Sequence, residues 1–455
     1  MAAKKTQAKT KTAKPRLSAP KAPKSAGFEP AEAGDGEDGE EEHQRVGARI
    51  SADQLGIAKD VRTANREFAA AMNKDGRKRV VMANEAPNVY ELRRPTGIIK
   101  LDADLGGGFP AGGLSIISGP DNAGKSFLLM RTMAMHQRLY GQYANIAYAQ
   151  AEGAFDFKRA LQVGLVVPVP DEILSAWHQE RLQYGMPGLH PDEIRWYKRE
   201  VGGFEIIQGS TGEEFLHTVN QAVIYNRFNI IGVDSFSILL PEADEHKDVG
   251  ATPKMSGNAN LLTDFLKKYT PHTSGINGLN PTTVLGIAQV RSNSAKASAP
   301  SYMQKMLKDW AVTGAYALRH GKLIDLTIWD GQVLRHTVQG QTVVYGKTLH
   351  WKTEKGKVGC HDNITGEVEF RYDIPMAYDD AWGIITHGLA KGVIAETPQG
   401  IDIYNPVTRA KTDLGGMPRL ADLHEYMRTN FEYELHLRYY VLKALGVECL
   451  YRPLA

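Results

Sequence analysis

The chain has 455 residues, with 54 Lys+Arg against 52 Asp+Glu, a net charge of +2 and 42% hydrophobic residues. That length suits several domains of about 100–200 residues with a sizeable core, and the near-neutral total excludes a uniformly basic nucleic-acid coat, leaving only local patches for such contacts. Two distant cysteines, Cys360 and Cys449, exclude a disulfide framework and a cysteine-rich zinc site and suit a reducing cytoplasm; no apolar run reaches the roughly 18 residues of a spanning helix, which argues against a membrane protein.

Residues 1–28 carry eight basic residues and no acid, and residues 29–42 eight acids and no base. With few large apolar side chains, residues 1–48 cannot offset their ordering entropy and are expected to form a disordered, solvated tail. Ile57, Val61, Phe68 and Met72 share one helical face, predicting a helix over 51–75 with Ser51 as N-cap and Gly76 at its end. Residues 49–94 are read as an N-terminal helical oligomerisation segment.

A core is expected over 95–374. Strand candidates Leu114–Ile117, Ile146–Ala149, Phe204–Ile207, Ile230–Val233 and Val284–Ala288 alternate with helical stretches. That order predicts an α/β core with a mostly parallel sheet covered on both faces. From residue 321 consecutive strands, Leu323–Trp329, Val343–Trp351 and Val368–Tyr372, predict an antiparallel extension of the same sheet. Residues 375–455 read as a small α+β C-terminal domain, with Asp422–Ala444 as its best long helix. The stretch 164–203, containing Trp177 and Trp196, is too long for a simple connection; it reads as a packed insertion, with a partner surface as the alternative.

The strongest motif is Gly119-Pro120-Asp121-Asn122-Ala123-Gly124-Lys125-Ser126, a phosphate-loop pattern between a predicted strand and a predicted helix, Ser126–Leu139. Its glycines let backbone N–H groups converge on phosphate oxygens at a helix N-terminus. Lys125 is expected to reach the β- and γ-phosphates and the Ser126 hydroxyl to ligate Mg²⁺. Met130, Met133 and Met135 on that helix read as core filler. A second signal is the apolar strand ending in Asp234, 109 residues after Lys125, the arrangement that holds Mg²⁺ through water. Glu152 follows a strand candidate, where a carboxylate can orient or deprotonate an attacking water, or simply be an exposed loop acid. Gln289 ends another, where an amide can sense a γ-phosphate, or merely be polar at a strand tip.

These motifs reach a family. The stretch Thr96-Gly97 through Leu105-Gly106-Gly107-Gly108-Phe109-Pro110-Ala111-Gly112-Gly113 to Gly119–Ser126 resembles the RecA recombinases. So do Ala151-Glu152-Gly153-Ala154-Phe155-Asp156, Val233-Asp234-Ser235, Ala288-Gln289-Val290-Arg291, Thr313-Gly314 through Ala317-Leu318-Arg319, and Lys355-Gly356-Lys357, all in the family's order. The resemblance covers about residues 55–395. It implies a RecA-type P-loop ATPase fold, ATP and Mg²⁺ as cofactors, and DNA-stimulated hydrolysis of ATP to ADP and phosphate. It implies Glu152 as catalytic carboxylate and Gln289 as the switch between ATP and a DNA-binding loop. Around the nucleotide it places the loop from Gly119 to Phe127, Asp156 near the adenine, and Arg159 where a stacking Tyr is common. Lys355 and Lys357 would reach a neighbour's ATP. Gln150 and Ala288 depart from the family pattern, which touches fine control of hydrolysis more than ATP binding. The tail and long insertions suggest a divergent, phage-encoded branch.

Residues 291–311 carry Arg291, Lys296, Lys305 and Lys308 against Asp309 alone, with Tyr302 and Trp310 among them. Basic side chains interleaved with aromatics suit a single-strand backbone, and the resemblance places the second DNA loop here. Residues 241–259 correspond to the first DNA loop; because this stretch is acidic, only Lys254 and Met255 are assigned to DNA. The expected function is an ATP-dependent strand-exchange recombinase forming a helical homo-oligomeric filament on single-stranded DNA and pairing it with duplex. Recombination mediator proteins are further expected partners, and the expected location is the cytoplasm of a bacterium or infected host. The alternatives are a ring-forming helicase-type motor, which usually takes an Arg finger where this chain has the lysine pair, and a non-hydrolysing ATP-gated scaffold.

Overall fold

The computed structural model describes residues 61–74, 80 and 92–447, except 152, 154, 168, 190–193, 195–200, 246–256, 270–281, 293–309, 313–317, 319–320, 339–340 and 373–376. The chain divides into two units at Glu67 and Phe68. Across that division runs helix α1 (Val61–Met72), with Phe68 and Met72 exposed. It ends short of the predicted 75 because Asn73 engages both backbone groups of Val80, donating to its carbonyl at 2.7 Å and accepting from its N–H at 3.1 Å. The predicted cap Ser51, Ile57 and Gly76 lie outside the described residues.

The second unit opens with β1 (Arg93–Arg94), α2 (Ile99–Asp104), β2 (Phe109–Pro110), β3 (Leu114–Gly119), α3 (Lys125–Tyr140), β4 (Ile146–Gln150), α4 (Phe157–Gln162) and α5 (Asp171–Gln183). Next come β5 (Phe204–Ile207), α6 (Gly212–Ile224), β6 (Ile230–Asp234), α7 (Gly257–Tyr269), β7 (Thr283–Ser292) and β8 (Trp310–Val312). Then follow β9 (Lys322–Val338), β10 (Gln341–Gly356), β11 (Thr365–Arg371), α8 (Asp380–Ala390), β12 (Ile394–Thr397), β13 (Gly400–Ile403), α9 (Leu420–Thr429) and α10 (Phe431–Ala444).

The main sheet runs β11-β10-β9-β3-β7-β6-β4-β5, with β8 antiparallel on β7. From β9 to β5 neighbouring strands are parallel; β9, β10 and β11 form the antiparallel extension. The α/β architecture expected from the sequence is therefore present. Its reason is visible in the pleat. Ile117, Tyr148 and Leu285 face the layer that holds Leu129 and Met133 of α3, while the adjacent Ile116, Ala149 and Val284 face the layer with Phe215 of α6 and Phe265 of α7. A strand buried on both faces reads as a continuous apolar run. Met130, Met133 and Met135 are buried, as core filler should be.

Two expectations need correction. Strands β9 and β10 run well past Trp329 and start before Val343, because their distal halves are polar or exposed and carry no apolar run. The long helix expected over Asp422–Ala444 is two helices. Asn430, at φ −123° and ψ 93°, leaves the helix, and its side chain accepts from the Tyr433 N–H to cap α10. Asn competes with helical backbone in this way, favouring caps over helix interiors. The insertion helix α5 buries only Leu174 and leaves Ile173, Trp177 and Leu182 exposed, so most of its apolar side chains face outward.

The C-terminal helices pack around Ile384, Leu423, Val441 and Leu442, with Ile99 of α2 in the same cluster. Buried charges cross this contact. Arg438 donates to both Asp102 and Asp380, Thr96 donates to Asp102 through its N–H at 2.6 Å and its hydroxyl at 2.8 Å, and Arg138 of α3 pairs with Glu434 at 3.0 Å. Burial pushes the Asp102 carboxyl up to about 6, against the opposing pull of Arg438. Among the described residues no helix is long and apolar enough to cross a membrane.

Candidate functional site

The phosphate loop grows directly out of β3. Gly119 is required by packing: a Cβ there would stand 2.2 Å from the Ile328 carbonyl oxygen of β9. The loop then turns through left-handed conformations, φ 61° at Asn122 and φ 91° at Gly124, where a glycine carries no steric cost. Gly124 is the N-cap of α3, so the helix opens at Lys125 and its first amides face the loop. The buried Lys125 ammonium donates to the Gly119 and Pro120 carbonyls at 3.1 and 2.6 Å.

Strand order brings the distant acid to the loop. β6 lies between β7 and β4, opposing Gln150 to Asp234 in register. Asp234 Oδ2 accepts from the Ser126 hydroxyl at 2.7 Å and from the Tyr148 hydroxyl at 2.6 Å. Mg²⁺ is commonly held by few protein groups together with substrate phosphates. One hydroxyl and one carboxylate, adjacent at a helix N-terminus, fit that requirement. Among the described residues no group of three or more His, Cys, Asp or Glu is placed to hold a metal by itself.

A cleft of about 650 Å³ lies over these groups. It is lined by Asp121, Asn122, Gly124, Lys125, Ser126, Phe127, Arg159, Asp234 and Gln289, so nine of the residues singled out in the sequence meet around one space. Gln289, expected to end its strand, lies inside β7, which runs on to Ser292 because Val290–Ser292 pair with β8. It stands opposite Gly119 in the β3–β7 ladder, and its N–H donates to the Ser237 hydroxyl at 2.7 Å, tying β7 to the segment after Asp234. Asp156 does not line the cleft; it caps α4, accepting from the Arg159 N–H at 3.0 Å. Lys355 and Lys357, at the far end of β10, do not line it either. Partial burial, then the charges of Lys357 and Lys322, pull Lys355 below the usual lysine range.

Several residues of the site escape sequence reasoning. Tyr148, which bonds Asp234 without lining the cleft, reads from the sequence only as part of an apolar strand. Lys347, Phe370, Arg371 and Tyr372 reach the cleft from the antiparallel extension, and Ile287 from β7. Their signal was weak: Lys347 lies at even spacing from the apolar Leu349 and Trp351, as a residue sharing their face would. Glu152, Lys254, Met255, Lys296, Tyr302, Lys305 and Lys308 lie outside the described residues, as does the Arg291 side chain.

No protein-family model matches the chain. It is 27% identical over 292 residues to Protein RecA of Desulfovibrio desulfuricans, covering 64% of this chain and 67% of that protein. It is 29% identical over 265 residues to Protein RecA of Nitratidesulfovibrio vulgaris, 58% and 59% of the two chains. With Protein RecA of Ehrlichia ruminantium it shares 30% identity over 184 residues, and the match spans only 41% of that relative's length. These similarities support a RecA-like family, and the parallel sheet with its antiparallel extension is consistent with that core.

Proposed function

We propose that the chain is an ATP-dependent recombinase that assembles as a helical filament on single-stranded DNA and pairs it with homologous duplex. One observation carries this reading: the phosphate loop, the Ser126–Asp234 pair and Gln289 converge on a single cleft at the carboxyl ends of parallel strands, where α/β sheets bind ligands. The similarity to proteins named RecA supports the DNA partner.

In this reading the loop amides and Lys125 bind the phosphates of ATP. Ser126 and Asp234 would hold Mg²⁺, which supplies charge neutralisation at the transferred phosphoryl group. Glu152 orients the attacking water and accepts its proton. Gln289, near the end of β7 and before Ser292, senses the γ-phosphate and passes its presence to the DNA loop that follows the strand, with Arg291, Lys296, Tyr302, Lys305 and Lys308 on the DNA backbone. Lys254 and Met255 form the other DNA contact. Lys355 and Lys357 complete the ATP site of the next protomer. Residues 49–94 serve oligomerisation, 95–374 form the ATPase core and 375–455 a C-terminal domain, in a cytoplasmic protein.

The test is ATP hydrolysis with and without single-stranded DNA, with the same samples imaged by negative-stain microscopy. DNA-stimulated turnover with helical filaments is the expected result. Rings would favour the helicase-type motor, and DNA binding without turnover the ATP-gated scaffold; either would overturn the recombinase reading.

A further inference from the structure

The antiparallel extension places one cation against the tip of the phosphate loop. In the β10–β11 ladder Lys347 stands opposite Phe370, and in the β9–β10 ladder Asp330 stands opposite Leu349. Phe370 and Leu349 belong to the core layer that holds α3, so Lys347 and Asp330 share the face turned toward the loop. The Lys347 side chain is only 16% exposed. Its Nζ lies 2.7 Å from Asp330 Oδ1 and donates to the Asn122 carbonyl at 2.7 Å.

That carbonyl belongs to the Asn122–Ala123 peptide. A planar trans peptide sends its C=O and its N–H in opposite directions. With the oxygen drawn out to Lys347, the Ala123 N–H points into the loop. Its contact there is a long one, 3.4 Å to the Pro120 carbonyl, so the amide is weakly engaged and can turn to a stronger acceptor. Asn122 itself has φ 61°, in the left-handed region that Asn enters more readily than most non-glycine residues.

We propose that Lys347 is a positioning residue for the phosphate loop, clamping the Asn122–Ala123 peptide so that the Ala123 amide faces the nucleotide's phosphates, with Asp330 holding the clamp in place. The clamp rests on the nucleotide reading above. It acts on groups common to nucleoside di- and triphosphates, because it orients a backbone amide and does not touch the terminal phosphate. Lys347 reaches the loop through pairing of β10 with its neighbours, so the extension that follows the parallel sheet contributes directly to the nucleotide site.

The experiment titrates the full chain and its variants with fluorescent ADP and a fluorescent non-hydrolysable ATP analogue, each with Mg²⁺. Lys347→Met keeps the length of the stem and removes the donor. It should weaken both nucleotides by about tenfold, the size of one charge-assisted hydrogen bond. Lys347→Arg, which keeps the charge and donors, should recover affinity to within about threefold of the unaltered protein. In steady state K347M should raise KM by about tenfold while kcat falls no more than about twofold, the signature of lost binding shared by ground and transition states. Should K347M fail to fold, Asp330→Asn, at a half-exposed position, should still weaken both nucleotides, by about threefold. Unchanged affinity in a folded K347M would overturn the clamp. So would a loss for the ATP analogue about tenfold greater than for ADP, which would mean direct contact with the terminal phosphate. If the unaltered protein binds neither nucleotide, the nucleotide reading falls and the clamp falls with it; binding by the unaltered protein with no effect of either substitution defeats the clamp alone.

Discussion

The Ser126 hydroxyl and the Asp234 carboxylate, 108 positions apart in sequence, are joined by a 2.7 Å hydrogen bond. One ends the phosphate loop and the other ends a strand, and their meeting is set by the strand order that carries β6 to the loop's side of the sheet. The pair presents two oxygens next to the first amides of α3, a suitable place for a divalent cation bound to phosphate.

Replacing Asp234 by Asn keeps the shape of the side chain and removes its charge. Turnover should fall by about 100-fold or more, and nucleotide binding should lose its dependence on Mg²⁺. Hydrolysis assays and Mg²⁺ titrations check this, with circular dichroism to establish that the fold is retained. Turnover within a factor of about three of the unaltered protein would remove Asp234 from the site.

Tyr148→Phe removes a donor to the same carboxylate oxygen, at 2.6 Å. A group that orients a metal-binding carboxylate typically costs about tenfold in metal affinity when lost. The apparent Mg²⁺ requirement should rise by about that factor, while stability to denaturant falls by only about 1 kcal/mol. A stability loss with an unaltered Mg²⁺ requirement would make Tyr148 a packing residue alone.

Arg438 bridges Asp102 and Asp380 in a buried contact between the core and the C-terminal helices. Arg438→Met strands two buried carboxylates and should cost about 3–5 kcal/mol in chemical denaturation. Asp102 also sets a pH dependence. Its carboxyl is raised in the folded protein from 3.8 to about 6, chiefly by burial. The folded state therefore holds this proton more tightly than the unfolded chain. The stability linked to it is fully present below pH 3.8 and is lost as pH rises through about 6. Denaturation curves from pH 4 to pH 7 should show Asp102→Asn with a less negative slope of stability against pH than the unaltered protein; parallel slopes would refute the assignment.

Asn430→Ala removes the side-chain cap of α10. The expected loss is about 1 kcal/mol, measured by thermal or chemical unfolding. Its position in the C-terminal helices, away from the residues that line the cleft, predicts that nucleotide affinity stays the same. A change in affinity would mean that the C-terminal helices and the phosphate loop are coupled.

The phosphate loop was legible because its chemistry is local: eight consecutive residues carry the turn, the amides and the lysine. Asp234 was legible because an apolar run ending in an acid is a short pattern, and the strands of the parallel sheet because burial on both faces makes each a continuous apolar run. The distal halves of β9 and β10 were not, since an exposed hairpin needs no apolar pattern. The break at Asn430 was missed because apolar spacing continues on both sides of it, and only the backbone turn reveals the cap.

By itself, then, the sequence determined which segments form the α/β core, which glycine-rich loop joins β3 to α3, and which apolar strand ends in an acid. The tertiary structure alone decided which strands become neighbours. Tyr148 meets Asp234 because β4 pairs with β6, and Lys347 meets the Asn122 carbonyl because β10 pairs with β9 and β11 at the edge of β3's sheet. Hydrogen-bond register along a strand is local, but strand adjacency is not. It follows from how the whole chain buries both faces of its sheet at once, and no spacing within one segment records it.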